Sequence, residues 1–293
     1  MKDKRSFTLD RFAYVPYVLP AIAFYLIFLL VPVISKFNLS LFSWDGFSPN
    51  ARFVGLRNFE LLFTDPRFLQ TIGNTVYAAI VGPIVQTTLA LVLAVLIANV
   101  IKGKTLYRAF TYMPVILPLV AASLVWFAIY NPTHGILNSF IRLLGFENFN
   151  LAWLGTMETA LPAVLAISIW RWTGFNVVIF MAGLQNISTE YYDAAKIDGA
   201  SNIRIFFRIT VPLLYTSLMI NFALNLIGYL RIFDTIFVTT GGGPAHATSV
   251  IAIYVFNQAF RFNAVGMASA ASVVLFFIIA IASVIYFRLV RRR

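Results

Sequence analysis

Apolar residues run along this chain in long uncharged tracts separated by short polar turns. Five tracts lie between Arg11 and Lys36, Arg67 and Lys102, Arg108 and Arg142, Arg208 and Arg231, and Arg261 and Arg288; a sixth, Thr159 to Leu184, is broken only by Arg171. Each holds the roughly 20 apolar residues that cross a bilayer core as a helix. The pattern therefore predicts spans near 14–35, 74–101, 109–130, 159–185, 209–231 and 266–287. A seventh uncharged tract, Thr235 to Phe260, begins with Thr239-Thr240-Gly241-Gly242-Gly243-Pro244 in its first half, which leaves too short an apolar run to cross. It is expected to form a loop with an amphipathic or re-entrant helix. The first tract is long, carries Pro16, Pro20 and Pro32 and lacks a small-residue cleavage site, so it reads as an uncleaved span.

Composition agrees with that pattern. A chain that is 60% hydrophobic and 11% charged is not an ordinary soluble domain. With six spans and both termini inside, the inner side receives Lys2, Lys4, Arg5, Arg11, Lys102, Lys104, Arg108, Lys196, Arg204, Arg208, Arg288, Arg291, Arg292 and Arg293. The outer side receives Lys36, Arg52, Arg57, Arg67, Arg142, Arg231 and Arg261, half as many. That bias is the positive-inside rule. It accounts for the net charge of +11 without invoking nucleic acid. Cysteine is absent, which excludes thiol chemistry and disulfides, and the two histidines, His134 and His246, are too far apart in sequence to suggest a metal pair. Ser43 to Gly73 is expected as the longest outer loop, with Asp65-Pro66 as a turn signal.

One polar island stands out. Glu190, Asp193 and Asp198 fall within nine residues and are three of the eleven acids in the chain. Ser188 and Thr189 are candidate N-caps, and Glu190 lies in the first turn, where the helix dipole favours negative charge. Tyr191, Ala194, Ala195 and Asp198 share one helical face, and Gly199 can take the left-handed conformation that ends a helix. Two readings stand: a solvated connecting helix, or a docking surface whose small alanines admit a close partner.

The segment resembles the EAA loop of the membrane subunits of ABC importers, the binding-protein-dependent permeases. That motif runs Glu-Ala-Ala, three residues, Gly, nine residues, Ile, one residue, Leu-Pro; here Asp193, Ala194, Ala195, Gly199, Ile209, Val211 and Pro212 occupy those places. Aspartate for glutamate and valine for leucine are the departures. Phe53-Val54-Gly55-Leu56-Arg57-Asn58-Phe59, Asn74-Thr75, Asn131-Pro132-Thr133-His134-Gly135 with Asn138, and Thr240–Pro244 with Thr248 resemble outer segments of the carbohydrate-type permeases (the maltose and multiple-sugar group).

The resemblance implies an all-α integral membrane protein with six transmembrane helices, the type I ABC importer permease fold and a cytoplasmic EAA coupling helix. It implies residues 1–73 as tail, first transmembrane helix and outer loop, and 74–293 as a core permease domain with five transmembrane helices and the coupling loop 186–208. Glu190, Tyr192, Asp193, Ala194, Ala195, Asp198, Gly199 and Pro212 would couple to a cytoplasmic ATPase. The implied partners are a second, homologous permease chain, two ATPase subunits, an extracytoplasmic solute-binding protein and membrane lipid. The chain itself would bind no cofactor and do no covalent chemistry, ATP and Mg sitting on the ATPase subunits. It would move a sugar, oligosaccharide or related polyol across the bacterial cytoplasmic (inner) membrane.

The remaining chemistry bears on energy and substrate. Ion-coupled carriers place ionisable groups inside the membrane, yet no acid here is mid-span; Asp234, at the outer end of the fifth span, comes nearest. Gly103-Lys104-Thr105 has the ending of a P-loop, but Ala98 stands where its first glycine belongs and an apolar span precedes it. The driving force must come from another chain. Within the membrane, Asn221, Asn225 and Tyr229 follow helical spacing on span five, and Trp170-Arg171-Trp172 with Asn176 lie on span four. For the asparagines, interhelical hydrogen bonds and substrate contact both fit. For Arg171, backbone carbonyls or a substrate pathway flanked by indoles both fit. A self-contained secondary carrier or channel for a small polar solute is the alternative, and a membrane-embedded transferase would need clustered acids or histidines.

Overall fold

The computed structural model describes residues 15–99 and 103–291; Tyr14, Lys2, Lys4, Arg5, Arg11, Lys102, Arg292 and Arg293, used above for spans and orientation, lie outside the described residues. Among the described residues the chain is helical apart from one two-stranded hairpin. Among the described residues four helices are long and apolar enough to cross a membrane: α1 (Pro16–Leu39) and, with the short helices numbered in chain order, α3 (Pro66–Asn99), α7 (Met157–Gln185) and α13 (Val265–Arg291). Two further spans are each a bent pair. One is α4 (Lys104–Ile116) with α5 (Leu119–Ile129), bent by 101°; the other is α9 (Asn202–Leu213) with α10 (Tyr215–Leu230), bent by 71°. Six apolar segments thus appear where the pattern put them, but two are broken. The first break is at Leu117-Pro118, where Leu117 turns extended, as a residue before proline does.

The remaining helices are short: α2 (Arg57–Thr64), α6 (Ile136–Leu143), α8 (Thr189–Ile197), α11 (Asp234–Thr239) and α12 (Ile251–Phe256). One expectation needs correction. The segment expected as an outer loop is shorter than Ser43–Gly73: the chain turns at Asp65, as its signal predicts, but Pro66 already starts α3. The Asp65 carboxylate accepts from Arg67 N at 2.9 Å, and Pro66 takes the first helical position, where its missing N–H costs nothing. The Thr235–Phe260 tract forms α11, a loop and α12, neither long enough to cross.

Contacts divide the chain into two compact units. One comprises the described residues up to Thr64 with Val255–Val274. In it β1 (Phe42–Ser43) pairs antiparallel with β2 (Arg52–Phe53), Phe42 opposite Phe53. Buried Asn58 ties the hairpin to α2 by donating to Ser40 O and Phe42 O at 2.8 and 2.9 Å. The hairpin's turn is held by Asp45, which accepts from Ser48 Oγ and from the Ser48 and Phe47 amides. Those bonds, the hydroxyl first, lower its carboxyl to a pKa of about 2.

The other unit comprises the described residues of 65–254 and 275–291, and its centre is the packing of α3, α7 and α10. Two apolar clusters form there. One joins Ala78 to Val164, Leu165, Ile169, Ile236 and Ile253. The other joins Ala90 and Ala94 to Val177, Phe180 and Leu214. Small residues permit the approach: a Cβ on Gly174 would run into the Thr111 backbone of α4, and one on Gly183 would meet Ser217. Between Ala78 and Ala90 on α3, and between Ile169 and Val177 on α7, lies a polar layer.

Candidate functional site

That layer borders a cavity of about 430 Å³ whose walls include Gln86, Ser168, Arg171, Trp172, Asn176, Asn225, Tyr229, Arg231 and Asp234. Ser168, Trp172 and Asn176 recur at every fourth residue, and Arg171 and Phe175 fall beside them, so one face of α7 forms a wall. Leu224, Asn225, Gly228 and Tyr229 give the same helical stripe on α10. Five residues singled out from the sequence (Arg171, Trp172, Asn176, Asn225 and Tyr229) come together here. Trp170 and Asn221 do not line the cavity. Trp170 points its ring at Trp126, 5.7 Å away edge-on, and fully buried Asn221 donates to Ser217 O one turn back at 3.1 Å.

Hydrogen bonds decide what the cavity presents. Gln86 Nε2 donates to Asn176 Oδ1 at 3.2 Å and to Asn225 Oδ1 at 3.0 Å. Tyr229 OH donates to Gln86 Oε1 at 2.7 Å, and Asn225 Nδ2 to Thr87 Oγ1 at 2.9 Å. A buried amide costs about 1–3 kcal/mol when unpaired, so the cluster stabilises three helices against one another only while complete. Three buried polar atoms on α7 have no protein partner: Ser168 Oγ, Arg171 Nε and Asn176 Nδ2. Arg171 also donates through Nη2 to Leu117 O at 3.5 Å, at the break between α4 and α5, and its guanidinium carbon lies 5.1 Å from the Trp172 ring centroid. The guanidinium therefore rests on a carbonyl freed by the bend and on an indole face.

Sequence reasoning missed Gln86 and Ser168. Gln86 carried a usable signal: a primary amide deep in an uncharged tract, costly against lipid and so turned toward protein. The rule applied to Asn221 and Asn225 would have found it. Ser168 had no such signal, since a serine returns its hydroxyl to its own helix at little cost.

The polar island lies at the end of α7 remote from α11. Helix α8 is capped as its sequence requires: Ser188 Oγ accepts from Glu190 N at 3.3 Å. At the other end Gly199 has φ +73°, its N–H bonds Lys196 O, and Ala200 N bonds Ala195 O, a Schellman ending. Glu190, Asp193, Ala194, Asp198, Gly199 and Pro212 are exposed, whereas Tyr192 and Ala195 are half-buried. Thr210 Oγ1 lies 3.5 Å from Tyr192 OH, linking α8 to the start of the broken span. The one ion pair on the helix, Lys196 to Asp193 at 3.8 Å, is exposed and adds little. Ile197, next to this motif, is 87% exposed, a large apolar side chain displayed to solvent.

Loops at the opposite end are tightly knotted. Asn74 Nδ2 donates to Ser249 O at 2.7 Å, and Thr75 Oγ1 accepts from Ile251 N at 3.0 Å. Thr248 Oγ1 donates to Gly243 O at 2.7 Å. Asn138 donates to Pro132 O and Leu151 O and accepts from Trp153 Nε1. Asn74, Thr75, Asn138 and Thr248, noted in the sequence, thus pin loop backbone by hydrogen bonds.

Bent apolar spans around a central polar cavity, with an exposed capped helix at one end and pinned loops at the other, define a polytopic membrane transport subunit. The chain belongs to the family of binding-protein-dependent transport system inner membrane components, whose model matches residues 86–293, and it is a permease subunit of an ABC importer. Among curated relatives it is 35% identical to a probable ABC transporter permease, YurN, of Bacillus subtilis, over 91% of this chain and 93% of the relative. It is 34% identical to the trehalose/maltose transport system permease MalF of Thermococcus litoralis, over 94% and 92% respectively. The fold is that of a bacterial alginate ABC transporter crystallised with alginate pentasaccharide-bound periplasmic protein. That match has TM-score 0.83 and 21% identity, and covers 98% of this chain and 96% of that one.

Proposed function

We propose that this permease carries a sugar, oligosaccharide or related polyol, with Arg171, Trp172, Asn176, Asn225 and Tyr229 in its path. The cavity beside the polar layer is the observation that carries this reading. Its donors match hydroxyl oxygens, and Trp172, 42% exposed, offers a ring on which a sugar face can stack. The names of relatives that transport trehalose and maltose or lactose support the same class. Trp170 and Asn221, away from this cavity, belong to the pathway only in another state of the transporter.

In this reading α8 is the coupling helix. Glu190, Tyr192, Asp193, Ala194, Ala195, Asp198 and Gly199 form the surface that a cytoplasmic ATPase grips, and Pro212 opens the span that moves with it. Exposed Ile197 gives that grip an apolar centre. The full assembly is this chain, a second homologous permease, two ATPase subunits holding ATP and Mg, and an extracytoplasmic solute-binding protein that meets the pinned loops. Both termini and α8 are cytoplasmic, and residues 1–73 precede a core of 74–293.

The test is uptake of labelled maltose, trehalose and lactose by cells with and without this chain, followed by reconstitution. Uptake of at least one sugar is expected to require the chain, the ATPase subunits and ATP together. Sugar transport by the purified chain alone would overturn the reading in favour of a self-contained carrier.

A further inference from the structure

Gln86 does more than line the cavity. Its carboxamide has two N–H donors and a carbonyl acceptor, and all are engaged: Nε2 to Asn176 Oδ1 and Asn225 Oδ1, and Oε1 from Tyr229 OH. The consequence falls on Asn176. With its Oδ1 held by Gln86, its amide must present Nδ2 elsewhere, and that nitrogen is buried without a protein partner. Asn176 itself is 2% exposed and borders the cavity. Ser168 Oγ and Arg171 Nε, also unpartnered, stand on the same face of α7. The free polar atoms on this α7 wall are nitrogen donors and a hydroxyl, while the Asp234 carboxylate borders the same cavity from α11.

Helix α3 is shaped for this arrangement. One turn before Gln86, Gly82 lies under the Tyr229 ring, where a Cβ would come within 2.6 Å of several ring carbons. The missing side chain lets the phenol lie against α3 and reach Gln86 Oε1. One helix thus supplies both the seat for the ring and the amide that orients it.

We propose that Gln86 is the positioning residue that fixes the donor polarity of the α7 wall, so that this wall engages polyhydroxy ligands through their oxygen lone pairs. This rests on the pathway reading above. Replacing Gln86 with leucine releases both asparagine amides to turn. Replacing it with an ionised glutamate leaves acceptors only, so Asn176 and Asn225 must both turn their NH2 groups toward it and withdraw a donor from the cavity.

The experiment uses the complete transporter, this chain with its partner subunits, in liposomes. The probe is whichever of maltose, trehalose or lactose the wild type imports, and the readout is sugar moved per ATP hydrolysed. Gln86→Leu is expected to lower that ratio roughly 10-fold, the scale of one well-placed hydrogen bond. Gln86→Glu adds a pH profile. While neutral its carboxyl keeps one donor and one acceptor, and once ionised it keeps acceptors only, so the ratio should fall as rising pH ionises it. The other titratable groups bordering the cavity (Arg171 on α7, Tyr229 on α10, and Arg231 and Asp234 beyond it) are common to wild type and variant.

A Gln86→Leu ratio within about twofold of wild type, against the tenfold scale of one hydrogen bond, overturns the proposal. So does a Gln86→Glu pH profile that superimposes on the wild type's, and this second variant decides alone if Gln86→Leu fails to assemble. If Asn225→Leu impairs uptake while both Gln86 variants transport normally, Gln86 loses its role and the pathway stands. If Asn225→Leu and Arg171→Met both transport like wild type, the pathway reading itself falls.

Discussion

The polar layer around Gln86 and the helix α8 are the two places where this apolar chain departs from its own composition, and they handle polarity in opposite ways. In the layer, each amide is bonded to groups on neighbouring helices, so the residues hold one arrangement with three donor or hydroxyl atoms left over. On α8 the backbone is closed at both ends by Ser188 and Gly199, while Asp193, Ala194 and Ile197 face solvent. One region is folded around its own hydrogen bonds. The other is folded so that its side chains stay exposed to solvent. Satisfied backbone with unsatisfied side chains is what a docking helix needs; satisfied side chains with a few spare donors is what a selective cavity needs.

The sharpest way to break the contrast is at Gly199. Its φ of +73° is open only to glycine at low cost, and nothing lies within 4 Å of a would-be Cβ. Gly199→Asp therefore strains the Schellman ending and adds charge without disturbing the core. Sugar uptake is expected to drop to background, about 100-fold, while ATP hydrolysis by the complex persists; intact coupling would show that α8 is merely a connector.

Next in size come Asn225→Leu and Arg171→Met. Each should cut uptake about tenfold or more, one unmatched buried group being worth about 1–3 kcal/mol, with assembly retained on size-exclusion chromatography. Normal uptake in both would leave the cavity without a role. Ser188→Ala should cost α8 about 1 kcal/mol, seen as faster amide exchange at Glu190 and Tyr191 with uptake reduced less than twofold.

The smallest effect lies far from either region. Asp45 has its pKa lowered from 3.8 to about 2, so its bonds help the hairpin turn above pH 3.8 and are lost as pH falls through about 2. Asp45→Asn should speed exchange of the Phe47 and Ser48 amides at neutral pH and leave transport untouched.

Legibility in the sequence followed the same divide. The caps, first-turn acid and left-handed glycine of α8 are local signals, and each holds at its predicted residue. The six apolar segments were equally plain, because bilayer thickness sets their length. The bends were not, although Pro118 marks one of them; a proline predicts a break without giving its angle. Nor could spacing along α10 separate Asn225, in the cavity wall, from Asn221, one turn earlier and bonded to its own helix. That distinction depends on which neighbouring helix faces each residue, and on Gln86, about 140 positions away on another helix.

The elbow at Leu117-Pro118 also bears on how the molecule is made. Neither α4, with 13 residues, nor α5, with 11, reaches bilayer length. Their seat comes from α7, through the Gly174 contact with Thr111 and the Arg171 bond to Leu117, and α7 emerges later from the ribosome. A nascent chain released after Thr156 is therefore expected to leave this segment without its seat on α7, although still apolar enough to enter the bilayer. A water-soluble maleimide should then label a cysteine placed at Thr111, a site that becomes protected once Met157–Gln185 has been synthesised.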